Sequence, residues 1–221
     1  MLVANVVLKT LQHGGWIMWP VVATLFLALC VLLERTYWWI SLKRSIRPDA
    51  QEQAREALGT GNFSAAWQLG QQMQDPFLHN LNEGISHAHT SMLAAMHLHA
   101  TKWIERSEAR MWILGTIITL APLLGLLGTV VGLMGSFSKL GDDALQVSAI
   151  TGGIGEALIA TSWGLAIAIG CLLPYNFFRK RVSAFRAAFE TWINHAELLV
   201  QSAKAHGHDL EAFAVERHLK R

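Results

Sequence analysis

A chain of 221 residues that is 52% hydrophobic and only 15% charged, with nine Trp and a mean hydropathy of +0.31, has the composition of a membrane protein rather than a soluble domain. Its formal net charge of +2 is too small to point to nucleic acid. Cys30 and Cys171 both lie inside apolar runs, which argues against a disulfide framework, and nothing in the sequence suggests covalent catalysis, so no enzyme activity and no cofactor are expected.

Residues 1–15 read as a short outer segment in which LVANVVLKTLQ suits an interfacial helix ended by Gly14 and Gly15. The first apolar stretch, 16–33, is long enough to cross a bilayer, which takes about 20 helical residues. LALC at Leu27 to Cys30 resembles a lipoprotein cleavage site. Leu29 is too large for the residue before the cut, however, and Val31 to Leu33 and then Glu34-Arg35 follow the Cys, so the segment reads as an uncleaved anchor.

A mostly helical region, 34–112, comes next. DAQEQAREALGTGNFSAAWQLGQQMQDP predicts two helices joined at Gly59 to Asn62, and Asp75-Pro76 predicts an N-cap followed by a first-turn proline. From Pro76 no strong breaker except Gly84 precedes Pro122, so one helix is expected to run unbroken into the second span. His79, His87, His89, His97 and His99 crowd this region, yet no pair has the i, i+4 spacing of a helical zinc site; they read as a solvated helix surface, with no metal.

The second span, 113–137, contains GLLGTVVGLMGSF. A phosphate-binding loop needs Lys and Ser or Thr directly after its last glycine, whereas Ser136 and Phe137 follow Gly135 here. Gly125, Gly128, Gly132 and Gly135 instead recur at helical spacing on one face, with a GxxxG pair at Gly128 and Gly132. In lipid, helices associate through close backbone packing, so a glycine face predicts a tight helical neighbour. A short loop, 138–153, leads to the third span, 154–178, where Ala160, Gly164 and Ala168 form a second small-residue row. Glu156 is the one side chain inside the three stretches that is charged at neutral pH in water. Such a group either belongs to an ion or proton path or is a wet acid favoured by the helix dipole, and the residues alone leave both open. Thr129 and Thr161 either bond their own helix or line a hydrated path. The tail, 179–221, is amphipathic, with Val182, Phe185, Phe189, Ile193 and Leu199 expected to pack on neighbouring helices, and its final His-rich residues are expected to fray.

Taken together, APLLGLLGTVVGLMGSF from Ala121 to Phe137 and GGIGEALIATSWGLAIAI from Gly152 to Ile169 resemble the paired signature of the ExbB/TolQ branch of the MotA/TolQ/ExbB proton-channel family. The chain departs from that pattern at Gly170, where the family usually carries Pro, and at Trp163, where a small residue is common. The resemblance implies an all-α integral membrane protein with three transmembrane helices and long cytoplasmic helical extensions, whose Glu156, Thr161 and Thr129 match the family's proton-pathway positions. It implies further a homo-oligomeric ring, a pentamer, around an ExbD/TolR-like single-span protein, working on a TonB- or TolA-like protein from the bacterial inner membrane. A four-span MotA-like stator fits three spans poorly. A non-conducting scaffold would have no use for Glu156.

Lys and Arg set the orientation. Arg35, Lys43, Arg44 and Arg47 follow the first span, Lys102, Arg106 and Arg110 precede the second, and Arg179, Lys180, Arg181 and Arg186 follow the third, all on one side. The expected topology has a periplasmic N-terminus and a cytoplasmic C-terminus. A reporter active only in the periplasm should work when inserted between Leu140 and Val147 and stay silent when fused after Arg221; the reverse pattern overturns the orientation.

Overall fold

The computed structural model describes residues 16–138 and 147–218. The expected interfacial helix in 1–15, residues 139–146 of the expected loop, and 219–221 lie outside the described residues. The described elements are all helices: α1 (Met18–Ser45), α2 (Pro48–Gly59), α3 (Phe63–Gln72), α4 (Pro76–Ser86), α5 (Met92–Glu108), α6 (Met111–Phe137), α7 (Val147–Ala205) and α8 (Leu210–His218). Three stretches, Met18–Ser45, Met92–Phe137 and Thr151–Ala205, are long and apolar enough to cross a membrane. The protein is an all-α membrane protein.

The described residues separate into two compact units, one drawn from 1–35 and 110–178 and the other from 36–109 and 179–221. In the first, α1 buries Met18, Val21, Thr24, Ala28 and Val31, and α6 buries Met111, Leu114, Ile117, Ala121, Gly125 and Gly128. Both sets recur every three or four residues, as one helical face requires. The remaining faces expose Phe26, Leu33, Leu123, Leu126, Leu158 and Leu173, surface that suits lipid or another helix and not water.

The second unit is a bundle around α4. Phe77 on α4 lies 4.5 Å from the Phe189 ring centre and 6.0 Å from that of Trp192, while Trp39 meets Phe185 at 5.9 Å. The expected tail stripe supplies this core: Val182, Phe185, Phe189 and Ile193 are buried and Leu199 half-buried. Trp192, which the stripe did not include, is buried with them. Helices α2 and α3 are joined at 60–62, where the glycines predicted a break, and Asn62 caps α3 by accepting the Ala65 N–H at 3.1 Å.

Four boundaries differ from the sequence expectation. The helix from Pro76 does not run on into the second span, because α4 ends at Ser86 and α5 starts afresh at Met92. Ser91 caps α5 by accepting the Ala94 N–H, and the turn lets Asn80 Nδ2 donate to the Met96 carbonyl at 2.6 Å while Leu78, Leu81, Ile85 and Met96 are buried. Burying that apolar face outweighs continuing a helix through the polar HAHTS run. A second break falls at Arg110, whose φ of 61° is left-handed and disfavoured by roughly 1–2 kcal/mol for a residue with a Cβ. Its guanidinium reaches Glu34 at 2.8 Å. At the other end the described part of the His-rich tail is ordered as a helix to His218: Gly207, at φ 88°, terminates α7, and Asp209 caps α8, which packs Phe213 against Phe63. The helix carrying the third span also starts at Val147, before the apolar stretch begins at Ile154, since Ser148 and Thr151 are helical without being apolar.

Asp75 ties the second unit together. Fully buried, it accepts main-chain N–H groups of Phe77 and Leu78 with one oxygen, and the Arg47 N–H at 2.7 Å and the Gln51 amide at 2.9 Å with the other. Asp75→Ala strands these donors and should cost about 2–3 kcal/mol, seen as a lower denaturation midpoint of the purified protein. A midpoint within error of the parent would show that the cap does not hold the bundle.

Candidate functional site

The site is built on the contact between α6 and α7, which run in opposite directions in the first unit. A Cβ on Gly125 would stand 2.8 Å from the Thr161 Cα, one on Gly128 2.8 Å from the Ala160 Cβ, and one on Gly132 2.8 Å from the Ala157 Cβ. On the opposing helix, a Cβ on Gly164 would collide with the Ala121 carbonyl oxygen. The two small-residue rows thus meet within one chain, with Ala160, Gly164 and Ala168 buried. Gly135 is different: among the described residues nothing lies within 4 Å of its notional Cβ.

Close approach creates the one polar link across the seam that involves a predicted site residue. Thr161 Oγ1 donates to the Gly125 carbonyl at 2.7 Å, with a longer 3.4 Å contact to the Ala157 carbonyl of its own helix. Gly125 has no side chain to block that carbonyl, so the hydroxyl depends on the glycine. Thr129 takes the bland alternative and donates to the Leu126 carbonyl at 2.7 Å. Ser136, missed in the sequence, bonds the Gly132 carbonyl at 2.9 Å and lies against Gly153. Its signal was its place in the same three-or-four spacing as the glycines.

Glu156 does not join Thr161. Five residues separate them, about 140° around an ideal helix. Thr161 is half-buried and turned to α6; Glu156 is exposed, with no side-chain hydrogen bond or ion pair among the described residues. Thr161 is thereby engaged with α6 of its own chain. Among the described residues the neighbourhood of Glu156 is open, since Gly152, Gly155 and Gly170 also have nothing within 4 Å of a notional Cβ. Trp163, on the same side of α7, is half-buried. The other acid described in this unit is fully engaged. Glu34, just past the first apolar stretch, is held by Arg35 at 2.6 Å and Arg110 at 2.8 Å. Among the described residues no group of three or more His, Cys, Asp or Glu is placed to hold a metal.

The family model of the MotA/TolQ/ExbB proton channel family matches residues 70–191. An ExbB-like biopolymer transport protein of Synechocystis sp. is 54% identical over 68 residues, which are 29% of this chain and 32% of that protein. The biopolymer transport protein ExbB of Xanthomonas campestris pv. campestris is 39% identical over 93 residues, 42% of this chain and 37% of the relative. The Tol-Pal system protein TolQ of Haemophilus influenzae is 37% identical over 103 residues, 46% of this chain and 45% of the relative. The chain therefore spans less than half the length of each of these curated relatives.

The seam separates two kinds of glycine. Gly164→Ala should lower the denaturation midpoint by an amount equivalent to roughly 1–3 kcal/mol, because the Ala121 carbonyl cannot yield as a flexible side chain does. Gly135→Ala should stay within about 0.5 kcal/mol of the parent. Equal midpoints for the two variants, measured in the same detergent, would remove the seam as a packing constraint.

Proposed function

The chain belongs to the MotA/TolQ/ExbB proton channel family, and from that premise we propose that it is the ring-forming inner-membrane subunit of a proton-driven motor. With an ExbD/TolR-like single-span partner it couples the proton gradient to mechanical work on a TonB- or TolA-like protein, in outer-membrane transport or envelope integrity. Its N-terminus is periplasmic, its C-terminus cytoplasmic, and the ring is a pentamer. It performs no covalent chemistry and holds no cofactor.

One observation carries this reading. Among the described residues, Glu156 stands exposed with no side-chain hydrogen bond or ion pair at the start of the third apolar stretch, beside glycines whose notional Cβ atoms meet nothing within 4 Å. Hydrocarbon on that side would cost several kcal/mol for a carboxylate, so the face calls for a neighbouring helix or water. A second copy and a partner helix supply the first; a hydrated boundary between them supplies the second. No Asp, Lys or Arg occurs in 16–33, 113–137 or 154–178, so Glu156 requires a partner group for proton relay. The partner's helix brings that group, an Asp. Each elementary charge crossing 100 mV releases about 2.3 kcal/mol, enough for a few protons to drive a conformational step.

Thr161 acts here through position. Its bond to Gly125 fixes the rotation of α7 against α6 and so the direction in which Glu156 projects.

The test keeps shape and removes titration. Glu156→Gln should assemble with the partner but lose gradient-coupled work, and Glu156→Asp should retain part of it. Thr161→Val should assemble and lose much of the work through a rotated α7. Full activity of both Glu156→Gln and Thr161→Val with the partner still bound would leave a non-conducting scaffold as the better account.

A further inference from the structure

A cavity of about 510 Å³ opens where α1 ends and the chain turns into α2. Arg44 and Arg47 line it together with Asp49 and the amides of Gln53, Gln72 and Gln74. Most arginines described elsewhere are matched: Arg35 and Arg110 with Glu34, Arg55 with Glu52, Arg186 with Glu108. Neither Arg44 nor Arg47 has an ion pair or a side-chain hydrogen bond among the described residues. The nearby buried acid cannot serve them, because both oxygens of Asp75 are already taken by four N–H donors, including the main chain of Arg47.

Position along α1 says what such a pair meets. The apolar stretch ends at Leu33, and Tyr37 and Ile40 are exposed at 76% and 49% beyond it. A Tyr on that flank sits at headgroup depth. Seven residues at 1.5 Å each place Arg44 only about 10 Å past Tyr37, within reach of the phosphates for a side chain that snorkels. We propose that this cavity binds the phosphate of an anionic phospholipid headgroup in the leaflet on that side. Two arginines against Asp49 leave a single positive charge in the lining. That balance matches the one negative charge of a phosphodiester; free phosphate or a monoester carries close to two at neutral pH. The three glutamine amides provide neutral donors for the remaining phosphate oxygens and for headgroup hydroxyls. The proposal needs only that the protein lies in a membrane, so it stands or falls apart from the reading of Glu156.

The full chain, purified in detergent, is titrated with phosphatidylglycerol, phosphatidylcholine or inorganic phosphate, and bound lipid is counted by native mass spectrometry beside the denaturation midpoint. Phosphatidylglycerol should bind and raise the midpoint, and phosphatidylcholine and inorganic phosphate should not. Arg44→Gln/Arg47→Gln should raise the half-saturating phosphatidylglycerol concentration about tenfold or more, while Lys43→Gln, one residue from Arg44 but outside the lining, should leave it unchanged. Asp49→Asn should lower that concentration and admit dianionic phosphatidic acid more readily, which tests the charge balance even where the double variant folds poorly. Parent-like binding by the double variant, an equal loss in Lys43→Gln, no response in Asp49→Asn, or displacement of the lipid by inorganic phosphate each overturns the proposal.

Discussion

Two helix backbones in the first unit approach so closely that neither can carry a Cβ at the point of contact. That constraint governs the unit. Lipid tails are as apolar as Leu, so α6 and α7 gain nothing from hiding leucines from one another, and what holds them is backbone contact plus the few hydrogen bonds it permits. Gly125 and Gly164 sit at the centre of the contact, and the bond from Thr161 to the Gly125 carbonyl exists because the glycine leaves that oxygen accessible. Leucines and isoleucines are consequently left on the outer faces, where they suit lipid or another helix.

The second unit obeys the opposite rule. It is held as a water-soluble bundle is held, by aromatic rings around Phe77 and by a buried carboxylate that gathers donors from two helix starts. Helix α7 takes part in both units, with Ala157, Ala160 and Gly164 in one and Phe185, Phe189 and Trp192 in the other. Its side chains change from small to large where the partner surface changes from a backbone to a set of rings. A small residue maximises contact against a backbone, and a ring fills space against other rings.

Much of this was legible from spacing alone. Glycines three and four residues apart encode a close helix contact, and Asp75-Pro76 encodes a helix start, because both rest on local geometry. The break at Arg110 was not legible. Arginine has no preference for a left-handed backbone, and the Glu34 that pairs with it lies far away in sequence. The turn at 87–91 escaped for a related reason: His, Ala and Thr do not forbid a helix, and only the tertiary gain of laying Met96 beside Asn80 ends it. Gly135 shares its spacing with the other three glycines but not their contact, since periodicity reports a face and not how far along that face the neighbour extends. Thr161 and Thr129 looked equivalent in sequence. Only the depth of the seam distinguishes a hydroxyl that crosses to the next helix from one that returns to its own.

The exposure of Glu156 follows from the same seam. Once Thr161, Gly164 and Ala157 are committed to α6, a residue five positions before Thr161 is rotated off that contact and cannot be buried within the chain. Making Glu156 a core residue would require turning α7 by about 140°, and the bulky Trp163, seven residues on and so on the same side of the helix, would then press toward glycines that have no room for it. The close packing that stabilises one face therefore compels the carboxylate to look outward. Lipid cannot solvate it there. A chain folded in this way is complete as a packed helix pair and incomplete as a membrane surface, and the deficit lies along the side of α7 that carries Gly152, Gly155 and Glu156.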